Sequence, residues 1–325
     1  MICGRILVTG ANGFLGRAIL TQLQMSSVPV CGTDIGAVGS VPGVAYQKAD
    51  ITRPEELITV LKNTNVVIHA AGLAHVFCPD SNSFDKFRQV NEVGTVNIAS
   101  TASAMGVEHL ILISSVSVYG PYTRGIYDED TPCEPVGPYA LSKYNAELRA
   151  IEVARKSNMA LTILRLATLY GEEDPGNVGR LMRLLDSGHF IWIGDGRNRK
   201  SLLYRNDAAR ASVAVAKRPA SGINIYNVSA PPCTMCDIVD GFADFLGIHL
   251  LPVQVPASLA MFLSRQLSRI PDRRLADIHQ KVKKWLAVDI YDVRRFEKAY
   301  NFHPLISLKD GLKREVEWYR RNSKR

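Results

Sequence analysis

Arg5-Ile6-Leu7-Val8-Thr9-Gly10-Ala11-Asn12-Gly13-Phe14-Leu15-Gly16 is the stretch that decides the fold. A short apolar run enters glycines in a Gly-x-x-Gly-x-x-Gly pattern, and a helix-forming segment, 16–24, follows at once. Strand, tight turn and helix in that order suit a pyrophosphate. Glycine permits the turn and a close backbone approach, and Gly16 permits tight helix–strand packing. The helix N-terminus then offers N–H donors and a partial positive charge. Glycines alone are weak evidence; the strand–turn–helix setting makes them strong.

Outward from this loop the chain keeps alternating. Apolar runs at 28–33 and 44–49 end at Asp34 and Asp50, and Val66-Val67-Ile68-His69-Ala70 closes at Gly72. Further strands are expected at 110–114 and 160–166, with helices at 54–62, 84–105 and 139–156. Val-, Ile- and Leu-rich strands alternating with helices mean βαβ units and a parallel sheet covered on both faces. The expectation is an α/β chain: a Rossmann-type doubly wound parallel sheet with a smaller, mainly C-terminal lid domain. Beyond Gly171, loops rich in Gly, Pro and Asp break the alternation. Residues 1–171, with a return segment at about 201–229, are read as the dinucleotide-binding domain, and 172–200 with 230–325 as the substrate-binding one. Helices are expected at 255–270 and 308–321 in the latter.

The 325 residues are 46% hydrophobic and 22% charged, which excludes intrinsic disorder and collagen-like chains. No run of apolar residues is long enough for a membrane span, and the first residues carry no signal-peptide core, so a cytoplasmic location is expected. The six cysteines are then reduced thiols. Cys233-Thr234-Met235-Cys236 has no second pair or partnered His, so no metal site is read there. Net charge is +8, and all of it comes from the C-terminal region: from Met261 onward there are 17 basic against 8 acidic residues. Such a region suits a diphosphate, nucleic acid or an anionic membrane. Nucleic acid is set aside because aromatic platforms and a reading motif are missing.

Asp34 stands where a carboxylate accepts ribose hydroxyls and repels a 2′-phosphate, and no Arg or Lys lies between Gly32 and Gln47, so NAD is expected in preference to NADP. Asp50-Ile51 either brackets the adenine or begins a helix cap before Pro54. Tyr139 and Lys143 are four apart on one helix face. An ammonium beside a phenol, with a nicotinamide cation nearby, lowers the phenol's pKa toward neutrality, so Tyr139 is expected to exchange a proton with a substrate oxygen. Ser115, at a strand end, is expected to hydrogen-bond that same oxygen.

Together with Val90-Asn91-Glu92-Val93-Gly94-Thr95, Ser114-Ser115-Val116-Ser117-Val118-Tyr119-Gly120, Leu164-Arg165, Tyr170-Gly171 and Tyr300-Asn301-Phe302-His303-Pro304, these pieces run through most of the chain. It resembles the extended short-chain dehydrogenases/reductases of the nucleotide-sugar epimerase/dehydratase superfamily. The resemblance implies Ser115, Tyr139 and Lys143 as the catalytic trio. It implies a dinucleotide site lined by Gly10, Asn12, Gly13, Phe14, Leu15, Gly16, Asp34, Asp50, Ile51, Ala70, Ala71, Gly72, Asn91, Ser114, Tyr139, Lys143 and Leu166. His75, Ser117, Thr168, Asn177, Arg199 and Lys200 are the implied substrate residues. Homodimers through 84–105 and 139–156 are the family's habit.

The departures narrow the chemistry. Val116-Ser117 stands where 4,6-dehydratases carry an Asp-Glu pair, so dehydration is not expected. Thr168 replaces an Asn of UDP-galactose 4-epimerases, and Lys200 replaces an Arg, with Arg199 beside it; Lys cannot make the bidentate phosphate fork. The stretch 177–184 resembles C4 ketoreductases of O-antigen pathways. The expected function is an epimerase or 4-ketoreductase acting at C4 of a nucleotide-diphosphate sugar. One alternative is a 3β-hydroxysteroid-type dehydrogenase, for which the stretch from Pro256 through Arg265 and Arg269 is amphipathic and basic enough to meet a membrane surface, unless it packs on the core as an ordinary lid helix. Another is a non-catalytic dinucleotide-binding protein.

Overall fold

A computed structural model describes residues 4–25, 28–74, 83–120, 125–250, 253–270, 275 and 278–323. Seven parallel strands form the central sheet: β1 (Arg5–Thr9), β2 (Val30–Asp34), β3 (Ala45–Lys48), β4 (Thr64–His69), β5 (His109–Ser115), β6 (Ala160–Leu166) and β7 (Ile223–Val228). Their spatial order is 3-2-1-4-5-6-7. The order reverses between β1 and β4, and a doubly wound sheet opens its ligand crevice outside the strand ends at that reversal.

Alternation along each strand sends side chains to two apolar layers. Ile6 and Val8 face a layer shared with helix α1 (Phe14–Gln24), while Leu7 faces the other, built from α2 (Pro54–Leu61) and the helices after β4 and β5. The expected single helix over 84–105 is three pieces: α3 (Ser83–Phe87), a π-helical stretch (Arg88–Val93) and α4 (Gly94–Ala104). The widened turn holds Asn91, and such insertions cluster where function needs a side chain re-aimed. Pro138 opens α5 (Pro138–Arg155) at the first turn, where its missing N–H costs nothing.

After β6 the chain leaves the sheet for Thr168–Tyr170 and α6 (Asn177–Asp186), then returns. Leu202–Tyr204 pairs with Thr168–Tyr170, α7 (Arg205–Lys217) packs on α1, and β7 joins β6. The remaining helices are α8 (Met235–Leu246), α9 (Ala257–Leu267), α10 (Ile278–Leu286), α11 (Arg294–Tyr300) and α12 (Leu308–Ser323). Tyr170, Met182, Phe190, Ile238, Phe242 and Leu312 join α6, α8 and α12 in a third apolar cluster outside the sheet. Among the described residues no helix is long and apolar enough to cross a membrane.

Candidate active site

The glycine loop sits at the crevice between β1 and β4. Gly10 has φ +66°, and a Cβ there would lie 2.6 Å from the Ala71 backbone nitrogen. A Cβ on Gly16 would lie 1.9 Å from the Gly10 carbonyl oxygen. Both positions therefore admit only glycine, and the cradle so formed fits a pyrophosphate lying against bare backbone. Leu15 is buried at 8% exposure, seating the helix on the sheet, and the Arg205 guanidinium covers the Phe14 ring.

Asp34 ends β2 beside the loop. Its carboxylate accepts from the Asn12 backbone N–H at 3.0 Å and from its own neighbour Ile35 at 2.8 Å, so it is aimed by the very turn that cradles phosphate. The Asn12 side chain accepts from Ser40 and donates to the Val38 carbonyl, tying down the following loop. The residues at hand thus fit NAD: a phosphate cradle and an acidic group where the adenosine ribose lies.

The crevice's opposite wall is held by a chain of buried polar contacts. Thr9 and His69 meet at 2.7 Å, Thr9 accepts from the Ala71 N–H, and His69 meets Thr95 at 3.0 Å. Burial, with the Lys143 charge adding to it, pushes the His69 pKa down to about 3, so the ring is a neutral strut. Asn91 is 2% exposed; it accepts from the Leu73 N–H, donates to the Leu73 carbonyl and donates to Ser142. It locks the 70–73 segment to α5 through its own side chain.

The trio converges at the ends of β5 and α5. Lys143 is 9% exposed, and its ammonium donates to the Ile113 carbonyl at 2.5 Å, beside Gly72. Burial lowers its pKa to about 8, with the Glu147 carboxylate opposing. Tyr139 packs edge-on to Phe87, and Ser115, at the end of β5, lies close enough to bear on the titration of its phenol. Lys143 by itself does not acidify the phenol. Burial raises the Tyr139 pKa and Ser115 opposes it, while the Lys143 ammonium is directed at the Ile113 carbonyl.

Several expected ligand residues have other duties. Ser114 turns its hydroxyl onto Glu147 of α5, which is also paired with Arg165 at 2.7 Å. Asp50 accepts from the Thr52 N–H and hydroxyl as a turn cap, and Ile51 is 6% exposed against Gly94. Lys200 is corrected as a phosphate contact: its ammonium is buried between Asp289 at 2.9 Å and the Lys284 carbonyl at 2.7 Å. Arg199 beside it is exposed. Asn177 is the exposed first residue of α6, capped instead by Asp174, whose carboxylate accepts from Gly176 and Gly179. Thr168 is half-buried, and Leu166, 3% exposed, closes β6. The Ser117 hydroxyl is buried without a hydrogen-bond partner among the described residues. His75 lies outside the described residues. Thr9, His69, Glu147 and Arg165 were missed as site-builders. A histidine, a glutamate and an arginine inside otherwise apolar patterns were the available signal.

Fold and site together define a dinucleotide-binding enzyme class with a Ser-Tyr-Lys trio. Residues 6–229 match the NAD dependent epimerase/dehydratase family, and the chain belongs to it. The family's cofactor is NAD, as Asp34 implied. UDP-glucose 4-epimerase of Vibrio cholerae is 32% identical over 230 residues, 69% of this chain and 70% of that one. N-acetyl-alpha-D-glucosaminyl-diphospho-ditrans,octacis-undecaprenol 4-epimerase of Escherichia coli O157:H7 is 28% identical over 320 residues, 96% and 94% of the two chains. Among solved structures, MoeE5 in complex with UDP-glucuronic acid and NAD aligns with a TM-score of 0.78 at 26% identity, covering 98% of this chain and 99% of that one.

Proposed function

We propose that the chain is an epimerase or 4-ketoreductase acting at C4 of a sugar carried on a nucleoside diphosphate. The observation that carries this is that Ser115 closes β5 while Tyr139 and Lys143 stand four apart on α5, with the Lys143 ammonium at Gly72 beside the glycine cradle. Bound NAD supplies the hydride acceptor and donor. Residues 10–16 hold its pyrophosphate and Asp34 its ribose, with Lys143 assigned to the second ribose. Tyr139 takes the proton from the sugar C4 hydroxyl, or returns it to a C4 ketone, and Ser115 fixes that oxygen by hydrogen bonding. The raised Tyr139 pKa favours the phenol, the form that donates toward a ketone; taking the proton from the hydroxyl needs the phenolate, which the nicotinamide cation of bound NAD would favour. The buried, unpartnered Ser117 hydroxyl has the unmet hydrogen-bonding capacity expected of a substrate contact. Val116 is buried and Ser117 is no acid, so the pair that expels water in a dehydratase is missing. The domain division at 171, with 201–229 returning to the sheet, and a homodimer built on α4 and α5 belong to the same proposal.

Names of the relatives support C4 of a diphosphate-linked sugar: one acts on UDP-glucose, another on a polyprenyl diphosphate-linked one. The test is incubation of the purified protein with UDP-hexoses without added nicotinamide. Interconversion that Tyr139→Phe abolishes supports the epimerase. Turnover confined to a 4-keto sugar plus NADH supports the ketoreductase. Turnover of neither overturns the proposal.

A further inference from the structure

Helix α9 is packed the wrong way round for a core helix. Its buried residues are the small Ala260 and Ser264, 7% and 3% exposed, with Met261 and Leu267 part-buried beside them. Its large apolar residues point outward, Leu259 at 46%, Phe262 at 59% and Leu263 at 46% exposure. Spacings of three and four put these on one stripe. Ile270, 48% exposed just past the helix end, continues the apolar surface. Arg265 and Arg269 are exposed one turn apart along the stripe's border, and 257–270 contains no Asp or Glu. Helix α10, joined to α9 by the Ser264–His279 contact at 3.0 Å, adds exposed Lys283 and Lys284 and again no acid.

We propose that α9 is a docking element for an anionic lipid bilayer, with Leu259, Phe262 and Leu263 entering the headgroup boundary and Arg265 and Arg269 reaching lipid phosphates. The charge argues for this occupant. An apolar stripe whose charged neighbours on α9 and α10 are, among the described residues, all cations complements a surface carrying fixed negative charge, and long Arg stems let the stripe sink while the guanidinium stays at the phosphates. Ordinary lid packing, the other expectation for this segment, would have turned Phe262 inward.

The inference stands apart from the proposed catalysis, because its test needs neither substrate nor cofactor. The full chain is co-sedimented with phosphatidylcholine vesicles, with and without one-third phosphatidylglycerol, at low and high salt. Binding is expected only with the anionic lipid and is weakened by salt. Arg265→Gln with Arg269→Gln should weaken it on the order of 30-fold, at about fivefold per basic group near such a surface. Phe262→Ala with Leu263→Ala should abolish it while the melting temperature moves by only a few degrees, since neither side chain belongs to the buried core. No binding to the anionic vesicles, or equal binding by either double variant, overturns the proposal. So does a wild-type oligomer that ignores vesicles and dissociates in the Phe262/Leu263 variant, which would make a second copy the occupant.

Discussion

Replacing Glu147 by Gln tests how the site is supported. Glu147 is 1% exposed, and its carboxylate accepts from Arg165 Nη2 at 2.7 Å, from Arg165 Nε at 3.2 Å and from the Ser114 hydroxyl. Arg165 is itself 5% exposed at the side chain and donates onward to the Tyr119 hydroxyl at 3.1 Å, which donates to Asn227 at 2.7 Å. The amide keeps the shape and removes the charge. A guanidinium then stays buried with its desolvation uncompensated, and breaking a buried pair from one side costs about 3–5 kcal/mol. Urea unfolding followed by far-ultraviolet circular dichroism reads this as a lower midpoint at unchanged slope. Glu147→Leu with Arg165→Met, which removes both charges, should recover most of the loss. A Glu147→Gln cost under about 1 kcal/mol would refute the argument that charge compensation holds this wall. Recovery failing in the double variant would trace the cost to shape instead. Glu147 also raises the Lys143 pKa against burial, so in Glu147→Gln the Lys143 titration should fall below its value of about 8. Any alkaline limb of turnover that Lys143 sets would move the same way.

Gly16→Ala places a Cβ 1.9 Å from the Gly10 carbonyl oxygen, so NAD affinity measured by calorimetry should fall more than tenfold, on the order of the 1.4 kcal/mol that a tenfold change represents; affinity within twofold would contradict the cradle. Asp34→Ala should shift the NADP/NAD affinity ratio toward NADP by about tenfold, about 1.4 kcal/mol of lost repulsion, and an unchanged ratio would remove Asp34 from the ribose. Glu315 is 1% exposed; its carboxylate accepts from the Gly171 N–H, and burial plus the Asp174 charge raise its pKa to about 9. An acid whose pKa is raised on folding contributes fully below its unfolded value and loses that contribution as pH rises through the folded one. The melting temperature should therefore drop from pH 5 to pH 9 more steeply in the natural protein than in Glu315→Gln; parallel curves would show that Glu315 titrates normally.

The sheet was legible because its cause is local. Apolar runs such as Arg5–Thr9 and Ala160–Leu166 have a period and length that leave few alternatives, and Gly10 and Gly16 mark their turn by what a side chain would strike. Ser115, Tyr139 and Lys143 were legible for the same reason, as fixed positions at a strand end and on one helix face. What the linear pattern left open depends on atoms distant in sequence. Lys200 finds Asp289 and Ser114 finds Glu147 only once the chain has folded, and a charge that has a buried partner is no longer free for a ligand. The direction of the Tyr139 pKa likewise follows from how deeply the phenol is buried, a property of the whole packing. On α9 the sequence supplied the amphipathic pattern, but which side meets protein was decided by the neighbours: the helix buries Ala260 and Ser264 and leaves Phe262 exposed.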